Sequence, residues 1–142
     1  MKRLIVAGVI ALAIAVTGGA VAQAKRTPSP AGAEVYFIAP ADGATVTSPV
    51  TVKFGLKGMG VAPAGTVVDN TGHHHLIVDA DLPPLDAPIP ADANHVHFGK
   101  GQTETTLELK PGKHTLQLLL GDQTHTPHDP PVMSKKITIT VK

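Results

Sequence analysis

The stretch 111–120, PGKHTLQLLL, decides the fold class of this chain. Pro111-Gly112 is a tight-turn pair, and after it His114, Leu116, Leu118 and Leu120 occupy alternate positions. A period of two places these four side chains on one face of a β-strand at 113–120. Because His114 shares its face with three leucines, we predict that it is a structural residue.

The same alternation recurs outward from this stretch, between turn signals. We predict further strands at 34–38, 50–56, 73–79, 105–109 and 137–141. No helical pattern of ten or more residues survives, because Pro or Gly interrupts each candidate. Short alternating strands with closely spaced turns predict an all-β fold, an immunoglobulin-like antiparallel β-sandwich. Strand 105–109 is expected to run antiparallel to 113–120 through the Pro111-Gly112 turn.

The first residues are typical of a secretory signal peptide. Lys2 and Arg3 precede an apolar run that is too short to span a membrane, and Ala22-Gln23-Ala24 is an A-x-A cleavage site. We therefore predict a signal peptide over 1–24, a disordered linker over 25–33 and a single β-sandwich domain over 34–142. The mature protein is expected to be periplasmic or secreted, with no membrane insertion after cleavage.

Composition excludes several classes of function. Removing Lys2 and Arg3 from the 12 basic side chains leaves 10 against 11 acidic ones, a net charge of −1. No basic stripe is available for phosphates, so nucleic acid is not an expected partner. The chain has no cysteine, which excludes disulfides, thiolate metal sites and a lipoprotein anchor. A protein partner is not apparent from the sequence.

All eight histidines lie between His73 and His128. Six of them form three close pairs, namely His73 with His75, His95 with His97 and His125 with His128. Residues i and i+2 of a strand project from one face about 6.5 Å apart, so two imidazoles can converge on one metal ion. If strands 73–79 and 113–120 are antiparallel, the three pairs meet at one rim of the sandwich. We predict a metal site at this rim, with candidate ligands His73, His75, His95, His97, His125 and His128.

Imidazole ligands favour a copper or zinc ion, and nickel is also compatible. The mature chain has only Met59 and Met133 as thioethers, with no Met-x-Met motif, so a copper(I) thioether site is not expected. Four carboxylates could complete the ligand shell or orient a ring, namely Asp69, Asp79, Asp122 and Asp129. Since imidazole must be deprotonated to bind, affinity is expected to weaken below about pH 6.5.

Two other interpretations stay open. The histidines could form a metal-free hydrogen-bond network in an interaction module of the cell envelope, with His74 as a core residue beside Leu76 and Val78. Alternatively, His73, His75 and His97 could hold a zinc ion with a water molecule, as in a zinc hydrolase. No Ser-His-Asp or G-x-S-x-G arrangement accompanies them, so catalysis has no further support in the sequence.

Specific motifs give the chain a family resemblance. They are GHHHL at 72–76, PLDAPIP at 84–90, HVHFG at 95–99, GKHTLQLLLGD at 112–122 and HTPHDPP at 125–131. With these motifs the stretch 35–141 resembles a bacterial exported family known as domain of unknown function 4399. The resemblance implies a small exported β-domain and assigns no activity.

Overall fold

The computed structural model describes residues 18–19 and 23–142, and every element of regular structure in this part is a β-strand. The predicted signal peptide, 1–24, falls largely outside the described residues. From residue 23 onward, no helix is present that is long and apolar enough to cross a membrane. The all-β prediction is confirmed for the described residues.

The described residues form nine strands. In chain order they are β1 (Glu34–Ala39), β2 (Thr45–Val46), β3 (Val50–Lys57), β4 (Gly60–Val61), β5 (Thr71–Val78), β6 (His95–His97), β7 (Glu104–Leu107), β8 (Gly112–Gly121) and β9 (Ile137–Val141). All six predicted strands are present, with ends shifted by at most two residues. The short strands β2, β4 and β6 were not among them, because two or three residues are too few to show a period.

The strands form two sheets. The smaller sheet has the order β1-β3-β7, and the larger has the order β2-β9-β8-β5, with β4 and β6 both paired to the outer edge of β5. The pairs β2–β9 and β4–β5 are parallel, so the larger sheet is mixed and not purely antiparallel. Strand β7 pairs with β3, so the Pro111-Gly112 connection crosses between sheets and does not close a hairpin.

The main core lies between the sheets and is mostly aliphatic. Strands β1 and β3 of the smaller sheet and β5, β8 and β9 of the larger one contribute most of its buried residues, and Phe98 and Val132 come from the connections. Alternation along β8 directs Leu116, Leu118 and Leu120 into this core at 0% exposure. Burial of apolar surface at about 25 cal/mol per Å² makes this cluster the main source of stability in a chain without disulfides.

A second apolar cluster covers the outer face of the larger sheet. Ile77 of β5 and Leu119 of β8 point away from the main core and pack with Ile89 from the proline-rich connection between β5 and β6. Leu82 and Leu85 of the same connection pack against them. The connection therefore lies over the outer face of β5, on which His73 and His75 also lie.

The segment predicted as a disordered linker, 25–33, is attached to the domain in the structure. The amide of Ser29 donates to Asp129 O, and the amide of Asp129 donates to Thr27 O. The Arg26 side chain donates to the carbonyl oxygens of Pro127 and His128. These polar contacts fix Arg26–Ser29 against the loop after β8, which composition alone does not reveal.

Candidate metal centre

The outer face of β5 positions the first two imidazoles of the candidate site. His73 and His75 alternate with the core-facing His74 and Leu76, as the period of a strand requires. His97 of β6 lies directly opposite His75 in the antiparallel register. One local alternation and one cross-strand pairing therefore bring three imidazoles together.

A tight turn after β8 supplies the fourth imidazole, His125. The amide of His125 donates to Asp122 O at 2.9 Å, and the amide of Asp122 donates to Thr126 O at 2.9 Å. His125 adopts a positive φ of 67°, which is uncommon for a residue with a side chain. From the other side, the amide of Ile89 donates to His125 O at 2.8 Å, so the proline-rich connection also holds this residue.

Ring nitrogens of four histidines lie close to one another. One ring nitrogen from each of His73, His75, His97 and His125 lies within 4.8 Å of the other three. The rings follow each other in a closed circuit, with centroids 4.7 Å apart for His73–His75 and His97–His125, and 5.1 Å for His75–His97 and His73–His125. We call these four residues the histidine cluster.

Several ring nitrogens of the cluster have no hydrogen-bond partner. His73 and His75 are 1% exposed. Among the described residues, both nitrogens of His75 and Nε2 of His97 are buried without a partner, and the only ring-to-ring hydrogen bond joins His73 Nε2 to His125 Nδ1 at 3.1 Å. An unsatisfied buried polar group costs roughly 1 to 3 kcal/mol. A bound ion would satisfy such groups in the cluster, whereas the two ring nitrogens of His74 in the main core are also buried without a partner in the described chain.

Burial keeps His73 and His75 uncharged at neutral pH. Burial, reinforced by the neighbouring His73, His97 and His125, lowers the pKa of His75 to about 3. Burial together with His97 and His125 lowers the pKa of His73 to about 4, and burial and His125 also lower the pKa of His97. Neutral imidazoles are the form that binds a metal. The weaker binding below about pH 6.5 stays a prediction for the site as a whole, and the lowered pKa values of His73 and His75 reduce the contribution of these two rings to it.

Because Gly99 and Gly121 have no Cβ, the imidazole rings of His97 and His75 can pack against them. A Cβ on Gly121 would lie 2.7 Å from His75 Cε1, and a Cβ on Gly99 would lie 2.7 Å from His97 Nε2. Neither glycine has a positive φ, so the backbone itself would accept a side chain at both positions. The requirement for glycine at 99 and 121 therefore comes from the imidazoles, a signal that the sequence analysis missed.

The other two candidate ligands lie outside the cluster. His95 is opposite Ile77 in the β5–β6 register, and its Nδ1 is 2.8 Å from Asp92 Oδ1. His128 is fully buried, with Nε2 3.2 Å from Thr71 O and Nδ1 without a partner in the described chain. Of the three predicted pairs, the structure brings together both members of the first, His73 and His75, and one member of each other pair.

His74 and His114 lie outside the histidine cluster. His74 lies in the main core 5.1 Å from the Phe54 ring, where burial lowers its pKa to about 4. His114 Nδ1 is 2.6 Å from Asp79 Oδ2 and its Nε2 is 2.7 Å from Lys110 O. The hydrogen bonds that His114 donates to these acceptors, first the one to Asp79, raise the pKa of His114.

The candidate carboxylates do not enter the cluster as ligands, since the grouped side chains are all histidines. Asp79 is engaged by His114, Asp129 pairs with Arg26, and Asp69 is exposed. Asp122 forms the turn that carries His125. A carboxylate beside the site therefore acts on the geometry of the ligands.

The fold and this cluster define an all-β domain with four neighbouring imidazoles on the outer face of its larger sheet. The family described as Domain of unknown function (DUF4399) matches residues 52–142, and the chain belongs to this family. The match covers His73, His75, His97 and His125 together. No curated protein and no solved structure matches the chain.

Proposed function

We propose that this protein binds a transition-metal ion, copper or zinc, through His73, His75, His97 and His125, and that it serves as a periplasmic carrier, buffer or sensor of that ion. The observation that carries the proposal is the convergence of four imidazole nitrogens within 4.8 Å of one another. The export of the protein is inferred from the signal-peptide pattern of residues 1–24.

The state of the ring nitrogens favours a metal over a hydrogen-bond network. A network would pair the buried nitrogens with each other or with the backbone, whereas both nitrogens of His75 lack a partner among the described residues. A bound ion would convert these costly groups into ligands, because imidazole nitrogens bind copper and zinc at about 2 Å. The lowered pKa values of His73 and His75 keep both rings ready to bind at neutral pH.

The number of ligands favours storage or transfer over catalysis. Catalytic zinc sites usually combine three protein ligands with a water molecule, and closed four-ligand sites hold the ion without activating water. His125 supplies a fourth imidazole to the trio that a hydrolase would use. His97 and His125 are only partly buried, so they provide a side from which an ion can enter.

The test uses protein beginning at Lys25 without a polyhistidine tag. Cu(II), Zn(II) and Ni(II) are titrated against a competing chelator while thermal unfolding is followed. We expect a one-to-one complex with submicromolar affinity. At a free-ion concentration of 100 times Kd, it should add about 2.7 kcal/mol to the free energy of unfolding.

The variant His75→Ala/His97→Ala should lose this binding, and the matched variant His95→Ala/His114→Gln should keep it. Both remove two histidines, but only the first touches the histidine cluster. Equal binding by the two variants would contradict the proposal. Absence of binding by the wild type, with a loss of stability in the first variant, would favour the metal-free interaction module instead.

A further inference from the structure

An ion held by four imidazoles would keep its whole charge in poorly solvated surroundings. None of the four ligands is anionic, and His73 and His75 are 1% exposed. A charge taken from water is costly unless an opposite charge lies nearby. A negative charge outside the ligands would therefore stabilise an ion in the site proposed above.

Asp122 is the acidic residue that the structure places beside the cluster. It follows Gly121, which lies opposite His73 in the β5–β8 register, and it is only 3% exposed. Burial by itself raises the pKa of Asp122, but hydrogen bonds from Thr27, Thr124 and Thr126 outweigh burial and hold the pKa below its usual value. Both oxygens of the side chain accept hydrogen bonds and neither donates one, which is the arrangement of an ionised carboxylate.

The same carboxylate sets the conformation of the turn. Asp122 Oδ1 accepts the amide of Thr124 at 2.8 Å and the amide of Thr126 at 3.0 Å, on either side of His125. These bonds close the turn in which His125 holds its φ of 67°. A sparsely populated backbone conformation persists only where its surroundings impose it. Here the imposing group is Asp122.

Asp122 is in turn tied to the segment before the first strand. Thr27 Oγ1 donates to Asp122 Oδ2 at 2.6 Å, so the two carboxylate oxygens have separate partners. Thr27 also accepts the amide of Asp129 through its backbone oxygen. One hydrogen bond, from Thr27 Oγ1 to Asp122 Oδ2, therefore links the segment Arg26–Ser29 to the turn that carries His125.

We propose that Asp122 is a positioning residue of the metal site that also supplies a negative charge offsetting part of the charge of a divalent ion. This inference rests on the proposed function, since it assigns a role toward the ion held by the histidine cluster. It separates into a geometric part, which depends on Oδ1, and an electrostatic part, which depends on the negative charge.

Asp122→Asn separates the two parts, because asparagine keeps an oxygen for the turn and removes the charge. Its Zn(II) affinity should fall about tenfold or more, as for other groups that support metal ligands. Its affinity for the monovalent ion Ag(I) should fall by a smaller factor, about threefold, because the Coulomb energy scales with ionic charge. The Cu(II) complex should keep a four-nitrogen electron paramagnetic resonance signature.

Asp122→Ala removes both parts and should reduce that signature to three nitrogens as His125 leaves the site. The control is Asp69→Asn, which removes an exposed carboxylate and should change no affinity. Equal losses for Zn(II) and Ag(I) in Asp122→Asn would overturn the electrostatic part. Four nitrogens in Asp122→Ala would overturn the geometric part.

A second variant covers the case in which Asp122→Asn does not fold. Thr27→Lys places an ammonium beside Asp122 Oδ2, which offsets the negative charge of the carboxylate while Oδ1 still holds the turn. Thr27→Gln is its uncharged control. The lysine variant should again lose more Zn(II) than Ag(I) affinity, and equal losses would refute the inference. If the wild type binds no ion with four nitrogens, the proposed function fails, and that outcome is separate from any effect at Asp122.

Discussion

Gly99→Ala should abolish tight metal binding and leave the metal-free fold almost unchanged. The added Cβ would lie 2.7 Å from His97 Nε2 and nearer still to Cε1, whereas ordinary contacts begin at 3.4 Å. The ring must therefore retreat by about 0.7 Å or more at Nε2. Metal–ligand distances are held to within about 0.2 Å, so a displacement of this size removes His97 as a ligand.

The effects on affinity and on stability should differ sharply. Misorienting a ligand through its supporting residues costs about 10- to 100-fold in metal affinity, and outright loss of His97 should reach about 100-fold or more. The atoms nearest the new methyl group all belong to the His97 side chain, which can rotate away. Gly→Ala at a backbone conformation open to both residues changes stability by about 1 kcal/mol or less.

Two further Gly→Ala variants serve as controls in chelator competition and urea unfolding. Gly60→Ala places its Cβ at 3.5 Å from Thr71 Cγ2, an ordinary contact, and should match the wild type in both measurements. Gly55→Ala overlaps the Tyr36 ring in the smaller sheet and should lower stability without affecting metal affinity. Wild-type affinity in Gly99→Ala would refute the assignment of His97 as a ligand.

Two predictions concern the dependence of stability on pH. An unfolded histidine takes up a proton near pH 6.5, whereas burial lowers the pKa of His74 to about 4 and that of His75 to about 3 in the folded protein. The free energy of unfolding of the metal-free protein should therefore fall as pH drops below 6.5. The expected decrease is about 1.4 kcal/mol per pH unit for each of these histidines. Urea unfolding that is unchanged down to about pH 4.5 would contradict this prediction. The pH dependence of the stability contributed by His114 is opposite, because its hydrogen bonds to Asp79 and to Lys110 O raise its pKa. This contribution is therefore complete below about pH 6.5 and is lost as pH rises through the raised pKa. His114→Gln should therefore lower Tm more at about pH 6 than at about pH 9, and equal losses would show that the charge of His114 contributes nothing.

Local patterns were sufficient for the strands and for part of the site. Alternation along 113–120 and 73–79 reflects the fixed period of a strand, so it shows which side chains share a face without any knowledge of the partner strands. His73 and His75 were therefore recognisable as a pair on one face, with His74 on the face of Leu76 and Val78. The short edge strands β2, β4 and β6 carry no such period, and the partner of β7 depends on the path of the chain between the sheets.

The sequence by itself determined that this protein is all-β and that the imidazoles of His73 and His75 share one face of β5. The tertiary structure decided which imidazoles meet. The register between β5 and β6 places His97, and not His95, opposite His75. The turn closed by Asp122 places His125 Nδ1 3.1 Å from His73 Nε2. The ring of His128 instead points toward Thr71 O. Register and chain reversal depend on contacts between residues far apart in the sequence, and for that physical reason the spacing of histidines could suggest a metal site but could not select its ligands.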